Sequence, residues 1–244
     1  MKCVVLAAGY ATRLYPITKN FPKPLLQVKG KTVLDWLLDD LTYNCGIDEI
    51  FVVTNHKFAS IFQKWADEKK YNISIIDDNT TTNENRLGAV NDLKLAIKSK
   101  NIDEDLLVIA GDNLLDFSLA SFVDYAKQKK ASCILAYYEN DESKLTKSGV
   151  VNFDQTGKVN FMEEKPKKPS SNWVVPPFYY LIKNDINLLD EAINSGCGVD
   201  APGSFIGWLA KNSTLYAKEM PGKRFDIGDI ISYNKVKEEY EITK

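Results

Sequence analysis

The run Cys3-Val4-Val5-Leu6-Ala7-Ala8-Gly9-Tyr10-Ala11-Thr12-Arg13-Leu14, continued by Pro22-Lys23-Pro24-Leu25-Leu26, decides how this chain is read. Residues 3–8 are apolar and include the β-branched Val4 and Val5. That pattern suits a parallel strand buried on both faces. A long loop follows, punctuated by Gly9, Pro16, Pro22 and Pro24. Such a loop is uncommon inside a compact domain unless it is functional. A strand that empties into a flexible turn can bring backbone N–H groups to a phosphate chain. Arg13 adds a planar fork of donors nearby and Lys23 a point charge. On spacing alone, an ordinary β–α loop with solvated charges explains the same residues.

Working outward, Thr32 opens a helix with Asp35 as its capping partner, and Val33, Leu34, Leu37, Leu38 and Leu41 fall on one face. Gly46 can close it. Residues 49–53 read as a strand, and Phe58, Ile61, Phe62 and Trp65 mark one face of a second helix. A strand over 72–76, a helix over 86–99 and a strand over 105–110 follow. Strands alternating with helices imply parallel strands, with ligands at their carboxyl ends. The loops after the first strand and after residue 110 are therefore candidates to share a site.

Beyond residue 130 the pattern changes. Residues 132–138 read as a strand, and 149–153 with 158–162 as a hairpin around Asp154-Gln155-Thr156-Gly157. An extended run over 174–182 contains Pro176 and Pro177. Helices over 185–194 and 203–210, strands near 214–218 and 223–226, and a last helix from Asp229 complete the reading. No linker, internal repeat or low-complexity tract divides the chain. The expectation is a single domain over 1–244, with a nucleotide-binding half over about 1–130 and an acceptor-binding half over about 131–244.

Composition narrows the function. Among 244 residues, 44% are hydrophobic, enough for a sizeable core, and the formal net charge is −2. No global basic field favours nucleic acid or an anionic membrane. The start lacks a signal-peptide core, and no apolar run is long enough to span a bilayer. A cytoplasmic protein is expected. Cys3, Cys45, Cys133 and Cys197 form no C-x-x-C pair and read as reduced, mostly buried thiols. His56 is the sole histidine, so Ser-His-Asp or Cys-His catalysis is disfavoured, and a surface place at a helix start suits it better.

No G-x-G-x-x-G and no G-x-x-x-x-G-K-[ST] occurs, so neither a nicotinamide-binding fingerprint nor a P-loop is present. Leu6 to Leu25 instead resembles the signature of sugar-1-phosphate nucleotidyltransferases, L-A-x-G-x-G-T-R-L followed by P-K-P-L. Ala11 departs from it, standing where the family has glycine. If that position needs φ > 0, alanine costs on the order of 1 kcal/mol; we read the departure as a variation in loop shape. The resemblance covers about residues 2 to 235. It implies an α/β fold, with a Rossmann-like mixed but mostly parallel sheet flanked by helices and a smaller α+β acceptor-binding portion. A fused hexapeptide-repeat domain is not expected from these residues.

Roles carry over position by position. Leu6, Ala7, Ala8 and Gly9 would meet the nucleotide, and Arg13 and Lys23 the phosphates. Val108-Ile109-Ala110-Gly111-Asp112-Asn113 resembles the family's strand ending in G-D, so Asp112 would be catalytic, nucleotide-binding and a ligand of Mg²⁺. An aspartate there would otherwise read as a turn or helix cap. Phe225-Asp226-Ile227-Gly228-Asp229 resembles W-x-D-I-G-T, making Asp226 the second metal ligand, while Asp229 caps the last helix. Glu163-Glu164-Lys165-Pro166 resembles E-E-K-P, so Glu164 would grip sugar hydroxyls and Lys165 the sugar phosphate. Gly149 matches the glycine of Y-G-V-V, although Ser148 replaces the aromatic residue, and Gly88 matches the glycine of the base-reading loop. The rest of that loop leaves the base open.

The implied reaction joins a nucleoside triphosphate to a sugar 1-phosphate with Mg²⁺, by in-line displacement of pyrophosphate. Pro176-Pro177 alters the acceptor wall, so a non-sugar acceptor such as choline phosphate stands as an alternative, as does a non-catalytic sensor of nucleotide or sugar phosphate. The resemblance also implies a homo-oligomer, though no interface is read from these residues.

Overall fold

The computed structural model describes residues 1–241. In chain order the elements begin with β1 (Lys2–Leu6), β2 (Gln27–Val28), β3 (Lys31–Thr32), α1 (Val33–Tyr43), β4 (Glu49–Thr54), α2 (His56–Asp67), β5 (Ile73–Asp77), α3 (Ala89–Ser99) and β6 (Leu106–Ala110). Then come β7 (Asn113–Leu115), α4 (Ala120–Lys129), β8 (Ser132–Tyr138), α5 (Glu142–Leu145), β9 (Gly149–Phe153), β10 (Val159–Glu164), β11 (Trp173–Val175) and β12 (Phe178–Leu181). The chain continues through α6 (Lys183–Ile186), α7 (Leu189–Asn194), α8 (Gly203–Asn212), β13 (Leu215–Glu219), β14 (Arg224–Asp226) and α9 (Ile230–Glu239).

These elements group into two compact units. Met1–Arg86, Ala110–Ala120 and the described residues from Pro221 onward form the first; Leu87–Ile109 and Ser121–Met220 form the second. In the first unit β1, β4 and β5 lie parallel, with Lys2–Leu6 opposite Glu49–Val53 and Ile50–Thr54 opposite Ile73–Asp77. Short connections between parallel strands are sterically impossible, so helices must make the crossovers. α1 starts as its residues dictate: Thr32 Oγ1 accepts from the Asp35 N–H at 3.0 Å and Asp35 returns the bond to Thr32 N–H at 3.2 Å. Val33, Leu34, Leu37, Leu38 and Leu41 are all buried, as their spacing predicts. Asn55 caps α2 through the Phe58 N–H at 3.2 Å. β14 pairs antiparallel with β7, placing Asp226 opposite Asn113. A cluster of Leu14, Leu26, Val33, Leu114, Ile227 and Tyr233 packs the loop after β1 against α1 and α9.

The second unit is mixed. β12 pairs antiparallel with both β6 and β8, β11 with β8 and β9, and β9 with β10, while β13 runs parallel to β8. The expected hairpin forms, with Gly157 supplying its positive φ of 84°. Pro176 and Pro177 divide the expected extended run into β11 and β12, because proline cannot donate to a ladder. α8 packs along β10.

Some elements differ from the sequence reading. β7, α4 and the β2–β3 hairpin were not expected. α4 buries only Phe122, Val123 and Ala126, too thin a stripe to announce a helix. α3 begins three residues late because Gly88, at φ 87°, cannot lie within it. The 185–194 helix is two short helices, α6 and α7. Ala11 takes φ 48° and ψ 44°, so the loop keeps the left-handed residue that glycine would supply, rather than changing shape. The architecture is nonetheless the expected Rossmann-like α/β type. Among the described residues no helix is long and apolar enough to cross a membrane.

Candidate active site

In the first unit, β1 delivers the signature loop. Ala7 N–H donates to Val53 O at 2.9 Å, so it is already committed to the sheet. Its N–H is therefore not free to meet a nucleotide. Ala8 O accepts from Asn55 Nδ2 at 3.0 Å, which pins the loop to the cap of α2. Gly9 is exposed, and no protein atom stands within 4 Å of the place its Cβ would take. Packing does not require glycine there, and the open space suits a ligand's approach. Leu6 O accepts from Gly111 N–H at 3.1 Å, bringing the two candidate loops together.

The meeting is tight. A Cβ on Gly111 would lie 3.0 Å from Val5 Cγ1 and 3.4 Å from Pro24 Cγ. Glycine thereby lets the Pro22-Lys23-Pro24 turn approach, and Lys23 Nζ reaches Asp112 Oδ2 at 2.7 Å. The lysine side chain is 10% exposed and the aspartate 37%. Asn113, fully buried, donates from Nδ2 to Asp112 Oδ1 at 2.8 Å and accepts from Arg224 Nη1 at 2.6 Å. Arg224 also lies 3.9 Å from Asp226. Burial would raise the Asp112 carboxyl, but the charge and hydrogen bond of Lys23, with the charge of Arg224, hold it below its ordinary value. It stays ionised.

Asn113 and Arg224 escaped the sequence reading. The available signal was Asn113 directly after the G-D pair and Arg224 two positions before Asp226, on the same strand face. Arg13 is exposed on a turn (Thr12–Leu14), apart from the Lys23–Asp112 pair in its contacts; its charge helps lower the Asp229 carboxyl, after the bonds from Ser232. Asp229 caps α9, accepting from Ser232 N–H at 2.7 Å, as expected. His56 opens α2 on the surface and bonds Asp77 at 2.6 Å. The four thiols are free, with Cys197 the least buried.

Asp112 and Asp226 are the carboxylates available for a divalent cation. Both are ionisable oxygen donors with partial solvent access, at adjoining places on the β7–β14 ribbon. Mg²⁺ takes one or two carboxylates and completes its shell with water and phosphate. The donor chemistry fits that pattern, whereas among the described residues no three acidic, histidine or cysteine side chains gather into a fuller cage.

In the second unit, Gly149 opens β9 directly opposite Glu164, the end of β10. A Cβ on Gly149 would fall 2.9 Å from Glu164 Oε2 and 3.0 Å from Met162 Cε. Burial raises the Glu164 carboxyl; the charge of Lys165 opposes the shift and that of Asp200 adds to it. Lys165 is exposed at φ 49°, with its N–H donating to Ser148 O at 3.0 Å. Gly88 is buried in this same unit. Its neighbours Ala89 and Val90 donate to Asp200 O at 3.2 Å and Val199 O at 3.0 Å, and a Cβ on Gly88 would collide with the Val199 carbonyl.

The family described as nucleotidyl transferase matches residues 2–242. The UTP–glucose-1-phosphate uridylyltransferase AglF of Haloferax volcanii is 29% identical, over 93% of this chain and 91% of its own length. A uridylyltransferase of the same description from Synechocystis is 28% identical, and the bifunctional protein GlmU of Methanococcus maripaludis 26%. This chain spans 61% and 54% of their respective lengths. Among solved structures, a Bacillus anthracis protein described as a glucose-1-phosphate thymidylyltransferase superposes with a TM-score of 0.81 at 23% identity, covering 100% of this chain and 98% of that one. A UDP-glucose pyrophosphorylase complexed with UDP-glucose gives 0.79 at 22%, covering 97% and 96%.

Proposed function

We propose a reaction on one premise: the chain belongs to the nucleotidyl transferase family. It joins a nucleoside triphosphate to a sugar 1-phosphate, giving a nucleotide-sugar and pyrophosphate, and so serves nucleotide-sugar biosynthesis in the cytoplasm. An acceptor phosphate oxygen attacks the α-phosphorus, and the bond to pyrophosphate breaks in line. The nucleophile is already an anion near neutral pH, so positioning and charge stabilisation carry the catalysis. The uridylyltransferase description of the Haloferax volcanii relative supports a sugar 1-phosphate acceptor.

The observation that carries the reading is the Lys23–Asp112 pair at 2.7 Å beside the signature loop. Lys23 would stabilise charge near the α-phosphate and Arg13 the departing pyrophosphate. Ala8 and Gly9 would line the triphosphate. Mg²⁺, held by Asp112 and Asp226, would neutralise phosphate charge when bound. Lys23 and Arg224 keep the Asp112 carboxylate ionised, and Asn113 helps orient it. Glu164 accepts from sugar hydroxyls, Gly149 lets the backbone approach, and Lys165 meets the acceptor phosphate. Residues about 1–130 serve mainly the nucleotide and 131–244 mainly the acceptor, within one domain.

The test is pyrophosphate release with Mg²⁺, pairing ATP, GTP, CTP, UTP and dTTP with a panel of sugar 1-phosphates and choline phosphate. A strong pair with a sugar 1-phosphate supports the reading, and turnover with choline phosphate alone replaces it. Asp112→Asn should lower kcat by at least about 10²-fold, comparable to losing one strong electrostatic contact. Near-normal turnover of that variant at saturating Mg²⁺ removes Asp112 from the mechanism.

A further inference from the structure

α8 begins at Gly203, and that residue lies against the carboxylate of Glu164. A Cβ built on Gly203 would overlap Glu164 Oε2 and lie 2.9 Å from Glu164 Cδ. Gly149 approaches the same oxygen from β9. The carboxylate is therefore seated between two residues without side chains. Among the described residues no donor hydrogen-bonds to it, although burial raises its pKa.

Gly203 cannot easily withdraw. The segment leading into it is held to the start of α3 by bonds from Ala89 to Asp200 and from Val90 to Val199. Gly203 itself is buried, and its backbone does not take a positive φ, so an L-residue there meets no backbone strain. Space for the Glu164 carboxylate is what demands glycine.

We infer that Gly203 is a positioning residue for the acceptor: by leaving room for Glu164 it aims that carboxylate at the hydroxyl groups of the bound sugar phosphate. The inference rests on the functional reading above. A methyl group at position 203 moves the carboxylate while leaving the nucleotide-binding loop of the first unit untouched. The selectivity that follows is for a hydroxyl-bearing acceptor.

The experiment is steady-state kinetics on the full chain, with the acceptor that the wild type turns over best. Gly203→Ala should raise the acceptor KM at least about 10-fold, with kcat and nucleotide KM within about threefold. Tm should be unchanged or higher, since alanine favours helix more than glycine does. Glu164→Asp, one methylene shorter, should cost less in the Gly203→Ala background than in the wild type, because the shorter side chain retracts from the methyl. Gly207→Ala, one turn along α8 and near Met162 O rather than Glu164, should leave the acceptor KM within about threefold. An unchanged acceptor KM in Gly203→Ala overturns the inference. So does a lowered Tm with all kinetic constants falling together, or an equal effect from Gly207→Ala. A wild type that turns over no acceptor sinks the functional reading and this inference together; an active wild type with an indifferent Gly203→Ala sinks the inference alone.

Discussion

Asp112 and Glu164 are both carboxylates set in buried surroundings, yet their environments move them in opposite directions. Lys23 and Arg224 outweigh burial at Asp112, and burial wins at Glu164 with Asp200 assisting. A depressed acid contributes stability above its unfolded value, about 3.9 for aspartate, and loses it only as pH falls through its lower folded value. A raised acid does the reverse: the ionised form is penalised in the fold, and the penalty fades as pH falls through the raised value. Glu164→Gln should therefore leave Tm at pH 7 equal or higher, while raising the acceptor KM. Acidification from pH 7 toward the glutamate range should raise the acceptor KM of the wild type before Asp112 protonates. Substrate phosphate titrates near about 6, so the ratio of wild type to Glu164→Gln isolates the protein group. A constant ratio across that range removes Glu164 from acceptor binding.

At the scale of elements, Asn55 joins two tasks. Its Oδ1 caps α2 at Phe58 N–H and its Nδ2 holds Ala8 O, with the side chain fully buried. Losing the cap costs about 1 kcal/mol and stranding a buried carbonyl about 1 to 3 kcal/mol. Asn55→Ala should thus destabilise by about 2 to 4 kcal/mol in a denaturant titration. Asn55→Asp keeps the capping oxygen but loses the donor, so it should fall between. An Asn55→Asp variant as stable as the wild type would mean that Ala8 O is not held by Asn55. The same loop carries alanine at φ 48°, a local cost on the order of 1 kcal/mol that its surroundings sustain. Thr18 Oγ1 donates to Ala11 O at 2.8 Å and Leu14 N–H donates to the same oxygen at 2.9 Å, which helps fix that turn.

At the scale of the molecule, each compact unit is assembled from separated stretches of chain. The first unit takes β14 and α9 from the end of the sequence, where Ile227, Tyr233, Val236 and Tyr240 complete a core begun by Leu14, Leu26 and Val33. A chain ending at Met220 would leave those residues uncovered and β7 without its partner. It should lose the cooperative melt of the full chain and aggregate at concentrations where the full chain stays dispersed. A truncated chain that melts as sharply as the full one would show that the first unit does not depend on β14 and α9.

Local signals carried much of this fold. β1 followed by a Gly- and Pro-punctuated loop, the Thr32–Asp35 capping box, the 3.6-residue stripes of α1 and α2 and the Gly157 hairpin all depend on neighbours within a few positions, so they can be read in linear order. The resemblance that pointed to the family likewise lies in one short stretch, Leu6 to Leu25. The Lys23–Asp112 pair joins residues 89 apart and the Asn113–Arg224 bond residues 111 apart. No local pattern encodes such meetings; sheet pairing and loop packing create them. Ala11 shows the limit from the other side, since alanine ordinarily avoids the left-handed region that the surrounding loop imposes on it. Gly203 does the same at the acceptor seat: in sequence it is one glycine among 13, and only the carboxylate of Glu164 brought against it gives the missing side chain a reason.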